Sequence, residues 1–230
     1  MLLTNVHAAK ASQKGSDKAH CKQHKPPGYS FNNEAGLGIW YQYMYGPPDM
    51  KYLRDRLTNA MEDNRRIGWL PGQSAFVQSF HVTARLNNPP YTCWKSYGIQ
   101  NTTKQGFCYG SAYFKNAPFP DGERATFYKL YMNSTFTYAR SFCFDKGSET
   151  VTAESCAEPG ISVWTRKKPQ QITAAEDRRI RQILEQHLQL YCMTSADMVK
   201  VPQVNLPVCQ VDEPSAAYKK ELTQAQRLAR

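Results

Sequence analysis

The feature that most limits the fold is a series of short β-prone segments separated by turn residues at intervals of roughly ten residues. Ala75–Arg85 has the alternation of a half-buried strand. Phe76 and every second residue after it lie on one face, and the residues between them lie on the other. Similar segments follow, each bounded by proline, glycine, asparagine or aspartate. They span residues 91–99, 106–115, 124–132, 135–144, 150–156 and 161–166. Connections this short leave no room for parallel crossovers, so neighbouring strands are predicted to be antiparallel.

The first strand is predicted earlier, at Gly38–Tyr45, whose sequence is Gly-Ile-Trp-Tyr-Gln-Tyr-Met-Tyr. It ends at Gly46-Pro47-Pro48, because proline cannot donate to a strand ladder. The total is then eight strands in an up-and-down order. Closure into a β-barrel removes the exposed edges of such a sheet and leaves an interior wide enough for side chains or one small ligand. A two-sheet sandwich is the alternative.

The long segment between the first two predicted strands has a different pattern. Met50–Arg66 carries many charges, with Leu53, Leu57 and Met61 at roughly helical spacing. This pattern predicts a short surface helix or a long loop.

One α-helix is predicted near the C-terminus. Thr173-Ala174-Ala175-Glu176 is a capping box, in which each side chain accepts a hydrogen bond from the other residue's backbone. After it comes one apolar stripe, formed by Ile180, Ile183, Leu184, His187 and Leu188. The helix is therefore expected to pack on the outside of the barrel. The extended segment Val199–Cys209 is expected to run back along the wall, where a disulfide holds it.

Composition favours one domain with tails. The chain has 230 residues, of which 41% are hydrophobic, and no apolar run approaches the length of a membrane span. Residues 1–20 form a basic N-terminal arm that is read as a remnant of a leader, residues 21–209 form the barrel with its helix, and residues 210–230 form a C-terminal tail. The net charge of +10 favours anionic ligands. Nucleic-acid binding is not expected, because acidic residues lie among or close to the basic ones and no zinc-finger, homeodomain or RNA-recognition signature accompanies them.

Both ends of the predicted barrel resemble those of lipocalins. Gly38-Ile39-Trp40-Tyr41 resembles the Gly-x-Trp-Tyr that opens the family's first strand, and Trp164–Pro169 resembles the end of its last strand, where an arginine precedes a proline. The capped helix, Asp197–Val201 and a closing Cys209 follow in the same order. Cys21 before Phe31-Asn32-Asn33 is similar to the branch of apolipoprotein D, bilin-binding protein and crustacyanin. The resemblance covers about residues 21–209, but no clear Thr-Asp-Tyr lies between strands six and seven.

Three residues are predicted to be structural. Trp40, just after Gly38, lies at the base of the first strand, and Arg166 lies at the end of the last one. If the sheet closes, the Arg166 guanidinium meets the indole face of Trp40 in a cation-π contact that seals the narrow end.

The seven cysteines and two glycosylation sequons favour a secreted glycoprotein. The sequons begin at Asn101 and Asn133. An odd number of cysteines leaves at least one unpaired within the chain, unless all are reduced. The resemblance implies one disulfide from Cys21 and another from Cys209. The partners it leaves open are Cys143 or Cys156 for the first, and Cys93 or Cys108 for the second.

The resemblance implies a carrier that encloses a small hydrophobic molecule, with no required cofactor. Alternation along the strands gives the candidate ligand-binding residues, which share a predicted inward direction. They are Gln42, Met44, Phe76, Gln78, Phe80, Val82, Tyr97, Tyr109, Tyr128, Phe136, Tyr138 and Arg140. The many aromatic rings suit a flat conjugated ligand, and the polar members suit its carboxylates or carbonyls. A tetrapyrrole such as biliverdin is predicted first, and a carotenoid or retinoid next.

Other functions remain as alternatives. A scavenger of amines needs inward carboxylates, and only Glu149 and Glu154 lie near the predicted seventh strand. A protease-inhibiting interaction protein is a further alternative. A lipid isomerase is less favoured, and we expect no enzyme, because no base is matched to a nucleophilic cysteine. No metal site is expected, because the five histidines are scattered. The oligomeric state is not determined by these residues, and a homo-oligomer is one alternative.

Overall fold

The computed structural model describes residues 32–46, 57–71, 75–86, 91–103, 107–115, 123–133, 136–144, 160–191, 193–206, 209 and 214–229. The strands are β1 (Gly38–Gly46), β2 (Leu57–Trp69), β3 (Ala75–Leu86), β4 (Cys93–Thr103), β5 (Phe107–Lys115), β6 (Glu123–Met132), β7 (Thr137–Phe144), β8 (Gly160–Thr165) and β9 (Val199–Lys200). The α-helices of these residues are α1 (Ala174–Leu188) and α2 (Ala216–Leu228).

The strands form one antiparallel sheet. Each strand from β2 to β8 is hydrogen-bonded to the next. One edge of β1 pairs with β8, and the first half of its other edge, Gly38–Tyr41, pairs with β2. The pairings therefore run from β1 through β2 to β8 and return to β1. The two-residue β9 pairs with Met44 and Tyr45, which β2 leaves available, so the described sheet has nine strands instead of the predicted eight.

The prediction of a surface helix or loop over Met50–Arg66 is wrong from Leu57 onward, where β2 begins. Burial alternates along this strand, with Thr58, Ala60 and residues 62 and 64 more deeply buried than their neighbours. Hydrophobicity alone does not predict this alternation, because the buried residues 62 and 64 are polar. The strand predicted at residues 150–156 lies outside the described residues.

Helix α1 packs on the outer face of the sheet, as predicted. Its N-terminus has the predicted capping box: the Glu176 N–H donates to Thr173 Oγ1 at 3.2 Å, and the Thr173 N–H donates to Glu176 Oε2 at 2.9 Å. Its apolar stripe joins one buried cluster with residues of β1, β7 and β8. The buried members from these elements are Ile180, Leu184, Leu188, Tyr43, Met44, Ala139, Ile161 and Val163.

The segment predicted only as a C-terminal tail contains helix α2. Ser215 caps it, accepting a hydrogen bond from the Tyr218 N–H at 3.3 Å. Tyr218 is 1% exposed and packs with Val77, Tyr97 and Ile99 on the outer face of β3 and β4. Leu222 and Ala225, four and seven positions after Tyr218, pack against the same cluster, so the helix has a short apolar stripe that the prediction of a tail overlooked.

The extended segment after α1 returns to the sheet and is held there by a disulfide. Cys93 at the start of β4 bonds to Cys209, with a Cα–Cα distance of 5.7 Å. The structure thus selects one of the two alternatives left open for Cys209. Within the described ranges, no helix combines the length and the apolar character that a bilayer crossing requires.

Candidate ligand-binding interior

Arg166 makes the predicted contact with Trp40 at one end of the sheet. The Arg166 guanidinium carbon lies 3.7 Å from the centroid of the Trp40 ring. The same group donates to the carbonyls of Leu37 at 2.7 Å, Ile39 at 2.9 Å and Ala35 at 3.2 Å. Arg166 therefore joins the end of β8 to the segment that enters β1.

A glycine is required where this segment turns into β1. Gly38 has a φ of 87°, which is strained for a residue with a side chain. A Cβ added at Gly38 would lie only 3.2 Å from Arg166 Nη1. The predicted structural role of Gly38 thus has two physical causes, its backbone conformation and the close approach of the guanidinium.

A short 3-10 helix, Asn33–Gly36, covers the same end. The Trp40 indole N–H donates to the carbonyl of Gly36 at 2.8 Å. The Asn33 side chain donates to the carbonyl of Thr103 at 2.8 Å, at the end of β4. These two bonds join the 3-10 helix to β1 and to β4, two strands that are not neighbours in the sheet.

The inward face carries a cluster of large aromatic side chains. Trp40, Phe80, Trp94 and Trp164 are all buried, and each is 7% exposed or less. Ala60, Val82 and Ala84 belong to the same cluster. Phe80 and Val82 were predicted from alternation, whereas Trp94 and Trp164 were not among the predicted ligand-binding residues. The strand register places both tryptophans on the inward face, because Trp94 pairs with Ala84 and Trp164 pairs with Gln42.

A chain of buried polar side chains lies beside this cluster. The Asn64 amide donates to Glu62 Oε1 at 2.7 Å, and the Gln78 amide donates to Asn64 Oδ1 at 3.0 Å. Glu62 is 1% exposed, and it lies opposite Trp40 and Val82 in the register. Glu62 and Asn64 were missed because their segment was predicted as a surface helix or loop. The interior therefore does contain a carboxylate, on a strand where none was expected.

Gln42, Phe76 and Gln78, which alternation predicts to face inward, are buried. Their exposed fractions are 7%, 0% and 2%. Phe76 also packs edge-on against Trp69, with ring centroids 5.2 Å apart. Gln42 thus contributes a buried amide group on β1, and Gln78 and Phe76 contribute a buried amide group and a buried ring on β3.

Met44 does not face the interior as predicted. The register of β1 against β8 shifts between Gln42 and Met44, so a bulge reverses the alternation there. Met44 therefore packs in the cluster under α1. The neighbouring Tyr43 hydroxyl donates to Asp177 Oδ1 of α1 at 2.7 Å, and burial together with this carboxylate strongly raises the pKa of Tyr43.

Tyr97 and Phe136 also lie outside the interior, contrary to prediction. The ring of Tyr97 is 5.7 Å from that of Tyr218, so Tyr97 faces α2. Phe136 packs against the cluster under α1, with the Arg179 guanidinium 5.4 Å from its ring centroid. Both residues are aromatic, Tyr97 within β4 and Phe136 directly before β7, and sequence alone does not show that a helix covers the outer face at these points.

The remaining predicted ligand-binding residues can be placed by register only, because their side chains lie outside the described part of the structure. Tyr138 pairs with Trp164 and Arg140 pairs with Ser162, both buried on β8. Tyr109 pairs with Asn101, and Tyr128 pairs with Ser141. The side chains of Cys21, Cys108, Cys143 and Cys156 are likewise outside the described part. Among the residues the structure describes, no three metal-ligating side chains come together.

An antiparallel sheet in which the first strand pairs with both the second and the eighth, with a helix packed on one face, is the arrangement of the lipocalin fold. A biogenic amine-binding protein matches with a TM-score of 0.50 and 10% identity, over 74% of this chain and 81% of that chain. The resemblance to lipocalins is thereby confirmed, with a mostly antiparallel sheet and a C-terminal helix, and at this identity the likeness concerns the fold alone.

Other solved structures match with lower scores. The tryptamine complex of the amine binding protein of Rhodnius prolixus has a TM-score of 0.49 and 12% identity, over 75% of this chain and 81% of that chain. Lobster apocrustacyanin A1 has a TM-score of 0.46 and 12% identity, over 76% of this chain and 81% of that chain. No protein-family model and no curated protein sequence matches the chain.

Proposed function

We propose that this protein is a carrier that holds a small, largely apolar molecule in the interior of the sheet. The observation that carries the proposal is the inward face, where Trp40, Phe80, Trp94 and Trp164 lie beside a buried polar chain. Apolar rings with a few placed polar groups are typical of small-molecule sites. The cyclic strand pairing supports an eight-stranded barrel that encloses the molecule, with β9 as an addition at its edge.

The ligand we propose first is a flat conjugated one, with a tetrapyrrole such as biliverdin before a carotenoid or retinoid. Aromatic side chains bury a flat ring system well. The buried amides of Gln42, Gln78 and Gln100 offer hydrogen bonds to its polar edges, and the net charge of +10 favours an acidic pigment.

A protonated amine is the second ligand class, and Glu62 is the observation that favours it. A buried carboxylate next to aromatic rings attracts a cation through both its charge and the ring faces. The first reported structural match is named for binding biogenic amines, which agrees with this alternative. The protein would then act as a scavenger of small bioactive molecules.

The test is titration of the purified protein with biliverdin, retinol and tryptamine, followed by tryptophan fluorescence and native mass spectrometry. Val82→Phe, which enlarges a side chain of the inward cluster, should weaken binding at least tenfold, because the ligand and the added ring compete for the same space. The matched control is Val199→Phe on β9, where the side chain is 39% exposed, and it should bind as the wild type does. Binding of none of the three compounds would refute the ligand classes proposed here.

Glu62→Gln separates the two ligand classes. It should weaken tryptamine binding while leaving biliverdin binding nearly unchanged, because only the amine needs the negative charge. Equal loss of both would count against a specific role of the carboxylate.

We also propose that the protein is secreted and glycosylated. The Cys93–Cys209 disulfide is typical of proteins from oxidising compartments. Of the two sequons, Asn133 lies at the β6–β7 connection, whereas Asn101 lies within β4 and pairs with strands on both sides. Glycan at Asn133 is therefore expected to be the more complete of the two, which peptide mass spectrometry of the natural protein can measure.

A further inference from the structure

The buried polar chain has a fixed direction. The Asn64 amide donates to Glu62 Oε1 at 2.7 Å, so the NH₂ group of Asn64 points towards the carboxyl group. Asn64 Oδ1 then faces Gln78, which in turn must present its own NH₂ group. The carboxylate at one end thus determines that the group left over at the other end is an oxygen, Gln78 Oε1.

This leftover oxygen has no hydrogen-bond partner among the described residues. Gln78 is 2% exposed, and its Oε1 is one of two buried side-chain atoms in the described part of the chain without a partner. A buried acceptor without a donor costs free energy, and it recovers that free energy when a donor binds. Gln78 Oε1 is therefore available to accept a hydrogen bond from a bound molecule.

The acceptor lies next to the aromatic cluster. Gln78 and Phe80 are two positions apart on β3, so their side chains lie on the same face. Phe80 also pairs across the sheet with Asn64, the middle member of the polar chain. A flat molecule packed on Phe80 would thus have its edge within the neighbourhood of Gln78.

We propose that Gln78 Oε1 accepts a hydrogen bond from an N–H or O–H group on the edge of a flat aromatic ligand, so that the carrier selects molecules with a pyrrole-type or indole-type N–H over molecules of the same shape that lack it. This inference rests on the proposed carrier function and names the ligand class of the same interior. Neither a cation nor an acid is required, because the acceptor is a neutral amide oxygen.

The probes that test this are carbazole and dibenzofuran, two neutral tricyclic molecules of nearly the same shape, of which only carbazole has a ring N–H. We expect carbazole to bind the wild type about five- to tenfold more tightly, the effect of one net hydrogen bond in a buried site. 9-Methylcarbazole, which has lost the donor, should bind no more tightly than dibenzofuran. Affinities are measured by quenching of tryptophan fluorescence.

Gln78→Met removes the acceptor at similar side-chain length and should abolish the preference for carbazole. The matched control is Gln182→Met, the same exchange at an exposed position of α1, and it should keep the preference. If Gln78→Met does not fold, the three probes on the wild type still decide, since a preference for carbazole over both others supports the inference.

Four outcomes overturn it in distinguishable ways. Equal affinities of the wild type for carbazole and dibenzofuran would refute the donor selection and leave the carrier proposal intact. A preference that persists in Gln78→Met would show that another group is the acceptor. Biliverdin, retinol or tryptamine binding without binding of either tricyclic probe would also refute the inference alone. If neither the tricyclic probes nor those three compounds bind, both proposals fail.

Discussion

Replacing Arg166 by alanine is expected to lower the free energy of unfolding by about 2–4 kcal/mol. The guanidinium donates to the carbonyls of Ala35, Leu37 and Ile39 and covers the ring of Trp40 at 3.7 Å. A hydrogen bond from a charged group contributes roughly 1.5–3 kcal/mol, and a partly exposed cation-π contact contributes about 0.5–1 kcal/mol. The expected loss is smaller than the sum of these contributions, because water reaches the freed carbonyls in the variant.

The assay is urea unfolding followed by circular dichroism at constant temperature. Arg166→Lys should fall between the wild type and Arg166→Ala, because an ammonium group cannot span three carbonyls and also lie flat on an indole. The matched control is Arg178→Ala on the exposed face of α1, where the change should be within about 0.5 kcal/mol. In thermal unfolding, the loss at Arg166 corresponds to a fall of roughly 5–15 °C.

The reasoning is refuted if Arg166→Ala and Arg178→Ala unfold with the same free energy. In that case the contact between the last strand and the first would be a consequence of the fold and not a source of its stability. A loss in Arg166→Lys as large as in Arg166→Ala would instead assign the stabilisation to the planar geometry of the guanidinium and not to its charge.

Three further predictions concern other parts of the structure. Cys209→Ala removes a bridge that spans 116 residues and should cost about 2–5 kcal/mol, and Cys93→Ala, which removes the same bridge, should have a similar urea midpoint. Thr173→Ala should cost about 1 kcal/mol in urea unfolding, because the Glu176 N–H loses its acceptor, whereas Thr173→Ser should retain most of it. Burial lowers the pKa of His81 and of His187, so below about pH 6.5 the folded state binds fewer protons than the unfolded chain. The free energy of unfolding should therefore decrease as the pH is lowered. His81→Gln should reduce this slope between about pH 7 and pH 5 without removing the part due to His187, and an unchanged slope would contradict the assignment.

Local patterns in the sequence were sufficient for several elements. The capping box of α1 needs only Thr173 and Glu176 three positions apart, and it forms as predicted. The alternation in β3 placed Phe80 and Val82 on one face, because its inward residues include enough apolar side chains to be recognised. The contact between Trp40 and Arg166 followed from the resemblance of both strand ends to one family.

Two kinds of feature escaped sequence reasoning for physical reasons. The inward face of β2 contains Glu62 and Asn64, and polar residues do not produce an apolar alternation even when they are buried. The bulge in β1 inserts one residue, which turns Met44 away from the interior. No residue in that segment is of a type that predicts a bulge. The polar part of the candidate site was therefore invisible until strand pairing was known.

The sequence by itself determined the antiparallel sheet and the capped helix, because each follows from the pattern of neighbouring residues. It also determined the contact of Trp40 with Arg166, because the motifs at both strand ends resemble those of one family. Only the tertiary structure decided which side chains share the interior. Helix α2 covers Tyr97, helix α1 covers Met44, and β2 brings Glu62 inward. Whether a face is inside or outside depends on what packs against it from distant parts of the chain, and alternation along a single strand cannot distinguish two faces that are both buried.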